Sequence, residues 1–120
     1  MTVVAKADDW DIHALPDQYT TLKLDILLDE TQSDAIRRGV IPDDMGEKWF
    51  CYFDNNTLYQ HRSWSGHCID VIEFVAEGKR LRAVSARVNR DASQYSNTDD
   101  AEDVTRITEM LDWLYQKQDW

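Results

Sequence analysis

From Lys48 onward the chain runs in short apolar stretches separated by turn residues. KWFCYF (48–53) is followed by DNNT (54–57), whose Asp and Asn residues tolerate left-handed backbone, and LYQHRSW (58–64) runs back. SG (65–66) turns the chain into HCIDVIEFV (67–75), and AEGK (76–79) turns it into RLRAVSARVNR (80–90). Connections this short join antiparallel neighbours, because parallel crossovers need a dozen residues or more. Further on, Val104, Ile107, Leu111 and Leu114 recur at spacings of three and four, with Met110 and Trp113 widening the stripe, so a helix follows. NTDDAED (97–103) supplies Asn97 or Thr98 as its cap and places acids where they complement the helix dipole.

Upstream of Lys48 the pattern is divided. Leu22, Leu24, Ile26 and Leu28 recur at period two and predict a fifth strand, whereas Tyr19, Leu22, Ile26 and Leu27 fit a helix. SDAIRRG (33–39) predicts a short helix capped by Ser33 and stopped by Gly39, and VIPDDMGE (40–47) a connecting loop. The expected fold is α+β: a twisted antiparallel meander of four or five strands, with the C-terminal helix packed on one face, in a single domain spanning residues 1–120.

Alternation sorts side chains between the two faces of that sheet. Trp49, Cys51 and Phe53 share one face and Phe50 and Tyr52 the other; Ile69 and Val71 oppose Cys68, Ile72 and Phe74. Both faces are apolar, and one long helix covers only one. The other must meet the N-terminal segment, a ligand or a second subunit, which makes a homodimer an expectation. In 58–64, Leu58, Gln60, Arg62 and Trp64 fall on one face and Tyr59, His61 and Ser63 on the other. Arg62 beside Trp64 suits a planar anion: the guanidinium fork offers paired donors and the indole a flat stacking surface. His67 follows the turn, and Arg90 and Tyr95 come off the last strand toward the same end. An Arg next to a Trp equally makes a surface cation–π pair with no ligand.

Charge narrows the partners. The chain has 23 acidic and 13 basic residues, a net charge of −10, which repels phosphate backbones at long range and argues against nucleic acid. An anionic ligand therefore needs a local cluster of Arg, Lys or His, whereas a basic protein partner would be attracted to the whole surface. The two cysteines, Cys51 and Cys68, sit in strand-like runs and read as buried thiols of a cytoplasmic protein. The N-terminus lacks a signal-peptide pattern, and no apolar run has the ~20 residues of a membrane span.

Catalytic constellations are thin. His67 and Cys68 are adjacent and so point to opposite faces, and no C-x-x-C pair exists, which argues against a metal. SWSG (63–66) lacks the first glycine of a G-x-S-x-G elbow, and there is no P-loop or dinucleotide fingerprint. No cofactor is called for.

KWFCYFDNNTLYQHRSWSGHCI (48–69) followed by VNRDASQYSNTDD (88–100) resembles a family of small bacterial and phage-associated proteins. Its pattern runs K-W-F-x-Y, then L-Y-x-H-R-S-W-[ST]-G-x-C-I, then V-N-R-D. Similar segments accompany domains that handle ADP-ribose. The resemblance implies a ligand site formed by Lys48, Trp49, His61, Arg62, Trp64, His67, Asn89, Arg90, Asp91 and Tyr95. The expected function is non-catalytic binding of a small nucleotide-derived anion, as a sensor or an anti-defence sponge. The alternatives are an immunity-type protein using Trp113, Trp120 and the open sheet face, and an ADP-ribose-type hydrolase using Asp91 as base.

Overall fold

The computed structural model describes residues 4–42 and 47–118, with the backbone alone for 116–118. A 3-10 turn at Ala7–Asp9 precedes β1 (Tyr19–Leu27), α1 (Glu30–Arg38), β2 (Trp49–Asp54), β3 (Thr57–Arg62), β4 (Cys68–Glu77), β5 (Arg80–Asn89) and α2 (Asp100–Gln118). The strands form one antiparallel sheet in the order β1-β5-β4-β3-β2. The period-two reading of residues 20–28 is therefore the correct one, and the C-terminal helix forms as its stripe requires.

Local chemistry explains the boundaries. Asn55 and Asn56 both have positive φ (52° and 59°), so β2 and β3 are joined by a tight two-residue turn of the kind whose twist matches the strands. The α1 cap is Asp29, not Ser33: its carboxylate accepts from the Gln32 N–H at 2.8 Å while the Gln32 amide oxygen accepts from the Asp29 N–H. Ser33 instead is buried, donating to the Asp29 carbonyl and accepting the Leu81 N–H, which ties α1 to β5. At α2 the Asp99 carboxylate accepts from the Glu102 N–H at 3.1 Å, the capping role expected of Asn97 or Thr98. Residues 43–46 of the loop after α1, and Trp120, lie outside the described residues.

β1 and β2 are the two sheet edges, so α1 must cross the sheet to connect them. It packs with α2 on one face, over Leu22, Leu58, Ile72, Leu81, Ala86 and Val88. Trp113 packs against this core and is not an exposed hot spot. The opposite face is met by the chain's own N-terminal segment. That segment starts at the end of α1, where the Ala5 N–H donates to the Arg38 carbonyl, and then crosses to the β3–β4 turn, where the Trp10 indole N–H donates to the Ser63 carbonyl (2.8 Å) and the His13 N–H to the Gly66 carbonyl (2.9 Å). Trp10 stacks on Phe50 with centroids 5.8 Å apart. Much of the apolar surface that called for a second subunit is thus covered from within.

Gly66, at φ 76°, fixes this strap: a Cβ there would lie 2.4 Å from the Asp11 carbonyl oxygen. Gly78 has a similar φ (65°) but open space around it. Gly78→Ala is expected to cost about 1 kcal/mol of left-handed strain. Gly66→Ala adds overlap with the strap and is expected to cost about 3 kcal/mol or more. Urea denaturation of the two variants checks this; equal losses would show that the strap does not bear on Gly66.

Candidate functional site

The predicted site residues separate onto two faces. On the helix face, the Arg62 guanidinium lies over the Trp49 ring at 4.5 Å, not beside Trp64. β3 ends at Arg62, and Trp64 sits in the following turn, 71% exposed. The strand alternation that paired it with Arg62 stops one residue too early. Lys48 is exposed and contributes its carbonyl to Ser63.

Around Trp49 lies a buried ionic network. Asp70 of β4 has no exposed surface and receives two bonds from the Arg106 guanidinium of α2, at 2.6 and 2.8 Å. Arg106 also donates to Asp103 and to the Tyr95 hydroxyl, and its guanidinium lies 5.4 Å from the Tyr95 ring and 5.9 Å from Trp49. Asp103, equally buried, further accepts from Tyr95 (2.6 Å), Asn97 (3.1 Å) and Arg90 (2.6 Å), and Arg90 also holds Asp100. Burial would raise the Asp103 carboxyl, but the bonds from Tyr95, Arg90 and Arg106 hold it below the usual range. For Asp70 burial outweighs Arg106 and keeps the carboxyl above it. Arg90 and Tyr95 are thereby committed to structural bonds. Asp70, Asp103 and Arg106 were not predicted; the signal available was an Asp inside an apolar strand and an Asp–Arg pair three apart on the helix.

Asn89 is buried and bonded to the Cys68 carbonyl and to Gln94, while its side-chain oxygen accepts the Asp91 N–H. Asp91 closes a turn on Ser93, whose hydroxyl and N–H hold its carboxyl below the usual value. A carboxylate so held is a poor general base.

On the strap face, His61 and His67 take different positions. A bulge between Gln60 and His61 in the β3–β4 pairing sets His61 opposite Cys68, which moves Cys68 off the Ile72–Phe74 face expected from alternation. His61 is 2% exposed, with Tyr52 stacked alongside (5.8 Å, 12°), and its Nδ1 is 3.0 Å from the Gly66 carbonyl oxygen. A carbonyl only accepts, so Nδ1 carries the hydrogen, and Nε2 is a buried acceptor without a hydrogen-bond partner. Burial pushes the imidazole pKa down, so the ring stays neutral. His67 faces His13 of the strap, centroids 5.8 Å apart.

Between strap and strands lies a cavity of about 340 Å³. Ile12, His13 and Leu15 line it from the strap; His61, Tyr52, Tyr59 and Cys68 line it from the sheet, with Arg87 of β5 at its side. Among the described residues Arg87 makes no ion pair; its guanidinium lies 5.8 Å from the Tyr19 ring, and its Nε is buried without a hydrogen-bond partner. Neither thiol of the chain is poised to react. Cys68 is pushed up to about 12 by burial and by Asp70, its hydrogen directed to the Asp70 carbonyl, and Cys51 is raised likewise.

Arg106→Met leaves the Asp70 charge buried and uncompensated, and is expected to lower stability by about 3–5 kcal/mol. Adding Asp70→Asn should recover much of that loss. Chemical denaturation of the single and double variants checks it; a loss under about 1 kcal/mol for Arg106→Met would show that Asp70 is not held by this pair. Comparison with protein-family models, with curated proteins and with solved structures returns no significant match for the chain, so function must be argued from its own geometry.

Proposed function

We propose that the protein is a non-catalytic binding protein, a sensor or a sponge, for a small nucleotide-derived anion of the ADP-ribose type, acting in the cytoplasm. The observation that supports this is the cavity under the strap, where Arg87 presents a cation with no carboxylate partner among the described residues and His61 an unpaired acceptor. Its volume falls at the lower end of the ~300–1,000 Å³ of small-molecule sites. The binding face thus shifts from Arg62 and Trp64 to the opposite side of the sheet, with His61 retained. Raised thiol pKa values and a hydrogen-bonded Asp91 favour binding over turnover. No helix among the described residues is long and apolar enough to cross a membrane.

A second reading, an acidic protein that binds a basic protein partner, is favoured by Trp64, 71% exposed on its turn in a chain of net charge −10.

The test is a thermal-shift panel of NAD, ADP-ribose, cyclic ADP-ribose isomers and cyclic dinucleotides. Ligand at about a hundred times its Kd adds ~2.7 kcal/mol, several degrees in a domain of this size. One compound is expected to shift the wild type and Arg62→Ala but not Arg87→Met, and to be recovered unchanged. No shift with any compound would contradict the proposal and favour the protein-partner reading, whereas a shift lost only on Trp64→Ala would overturn the assignment of the site to the cavity under the strap.

A further inference from the structure

We infer that the cavity under the strap takes one flat ring bearing an N–H or O–H donor, seated on the His61 Nε2, with a single anionic group of the same ligand held by Arg87. This rests on the small-molecule reading above and narrows what part of such a ligand enters the protein.

The donor requirement follows from the imidazole. Neutral imidazole has one donor and one acceptor nitrogen, and the Gly66 carbonyl has already selected Nδ1 as the donor. The remaining lone pair belongs to a side chain that is 2% exposed and lines the cavity, and it has no partner. A buried acceptor left unpaired is costly, and a ligand hydrogen is its complement. Cys68, the cross-strand neighbour of His61, does not serve, since its thiol points to the Asp70 carbonyl.

Flatness follows from the walls. Tyr52 is stacked between Tyr59 (4.7 Å, 11°) and His61 (5.8 Å, 12°), so the wall of the cavity is a row of aligned rings whose edges and outermost faces are what a ligand meets. A flat ring fits such a wall, meeting ring edges or stacking on an outermost face.

The position of the anion follows from the register. Arg87 pairs with Val71, which pairs with Tyr59. The Arg87 backbone therefore stands two strand spacings from Tyr59, roughly 9.5 Å across the same face, with His61 two residues further along β3. Donor and anion must then lie at opposite ends of the ligand. A second anionic group would meet no further Arg or Lys in the lining and would face the acidic field of the chain. His13, Tyr52, Tyr59 and Cys68 are the other titratable groups around the cavity. Two sources supply this chemistry: a nucleoside monophosphate and a hydroxylated aromatic carboxylate.

Calorimetric titration of the full chain with two matched sets of compounds tests the inference. The first set is AMP, purine riboside 5′-monophosphate (no exocyclic amine) and adenosine (no phosphate). The second is 4-hydroxybenzoate, benzoate and 4-hydroxybenzamide. In at least one set the complete member is expected to bind roughly tenfold tighter than both partners that lack one group. His61→Asn keeps an amide to bond Gly66 but removes Nε2, and should erase the preference for the donor alone. Arg87→Met should erase the preference for the anion alone. The wild-type comparisons stand even if a variant fails to fold. Selective binding of the carboxylate set alone would support the inference while overturning the nucleotide reading. Binding of ADP-ribose with no discrimination within either set would leave that reading standing and overturn the inference, as would no binding by any of the six compounds.

Discussion

Asp70 is a charge in the middle of a sheet, with no exposed surface, and the rest of the structure is arranged around making that tolerable. Desolvating a carboxylate costs several kcal/mol even after relaxation. The two-pronged contact from Arg106 offsets most of it, with a smaller contribution from the nearby Arg62 charge. That contact fixes where α2 sits along the sheet. It also recruits Asp103, which collects the Arg90 guanidinium, the Tyr95 hydroxyl and the Asn97 amide, and so anchors the loop between β5 and α2. One buried acid thus sets the docking of the last helix, the path of the last loop and the stacking of cations on Trp49 and Tyr95. Pairs of this kind contribute less to stability than to uniqueness of arrangement, because breaking them is far costlier than replacing them.

A functional consequence follows. On the helix face Arg90 and Arg106 are spent on internal carboxylates and Arg62 lies on Trp49, so that face is poorly equipped to neutralise a ligand. The opposite face is different in kind. There the N-terminal strap is held by Trp10 stacked on Phe50 and by its bonds to Ser63 and Gly66, and it roofs a space where Arg87 and His61 keep unused hydrogen-bonding capacity. On the proposed reading, the helix face holds the structure together and the strap face is left for recognition.

Much of the fold was legible because it is local. The Asn55–Asn56 turn, the short apolar runs and the stripe of Ile107, Leu111 and Leu114 each announce an element within a few residues. The strand at Tyr19–Leu27 could not be separated from a helix by pattern, because its choice is made by pairing with β5, some sixty residues away in sequence. The site was less legible. Alternation carried Trp64 onto the Arg62 face although the strand ends before it, and missed the bulge that brings Cys68 beside His61. His61 was singled out from its motif, but Arg87 was not: an Arg within an alternating strand looks like any solvated position. The N-terminal strap carries no periodicity, so its placement over Phe50 depends on tertiary contacts that pattern does not encode. Asp103 looked like a dipole complement, and only packing shows it to be a hub.

What the cavity under the strap presents to a ligand depends on the state of one imidazole. Long-range ¹H–¹⁵N correlation spectra of the histidine rings at neutral pH measure it directly. The His61 ring is predicted to be neutral, with Nδ1 protonated and Nε2 bare. An Nε2–H tautomer, or a charged ring at neutral pH, would contradict it, because the cavity would then present a donor where an acceptor is required.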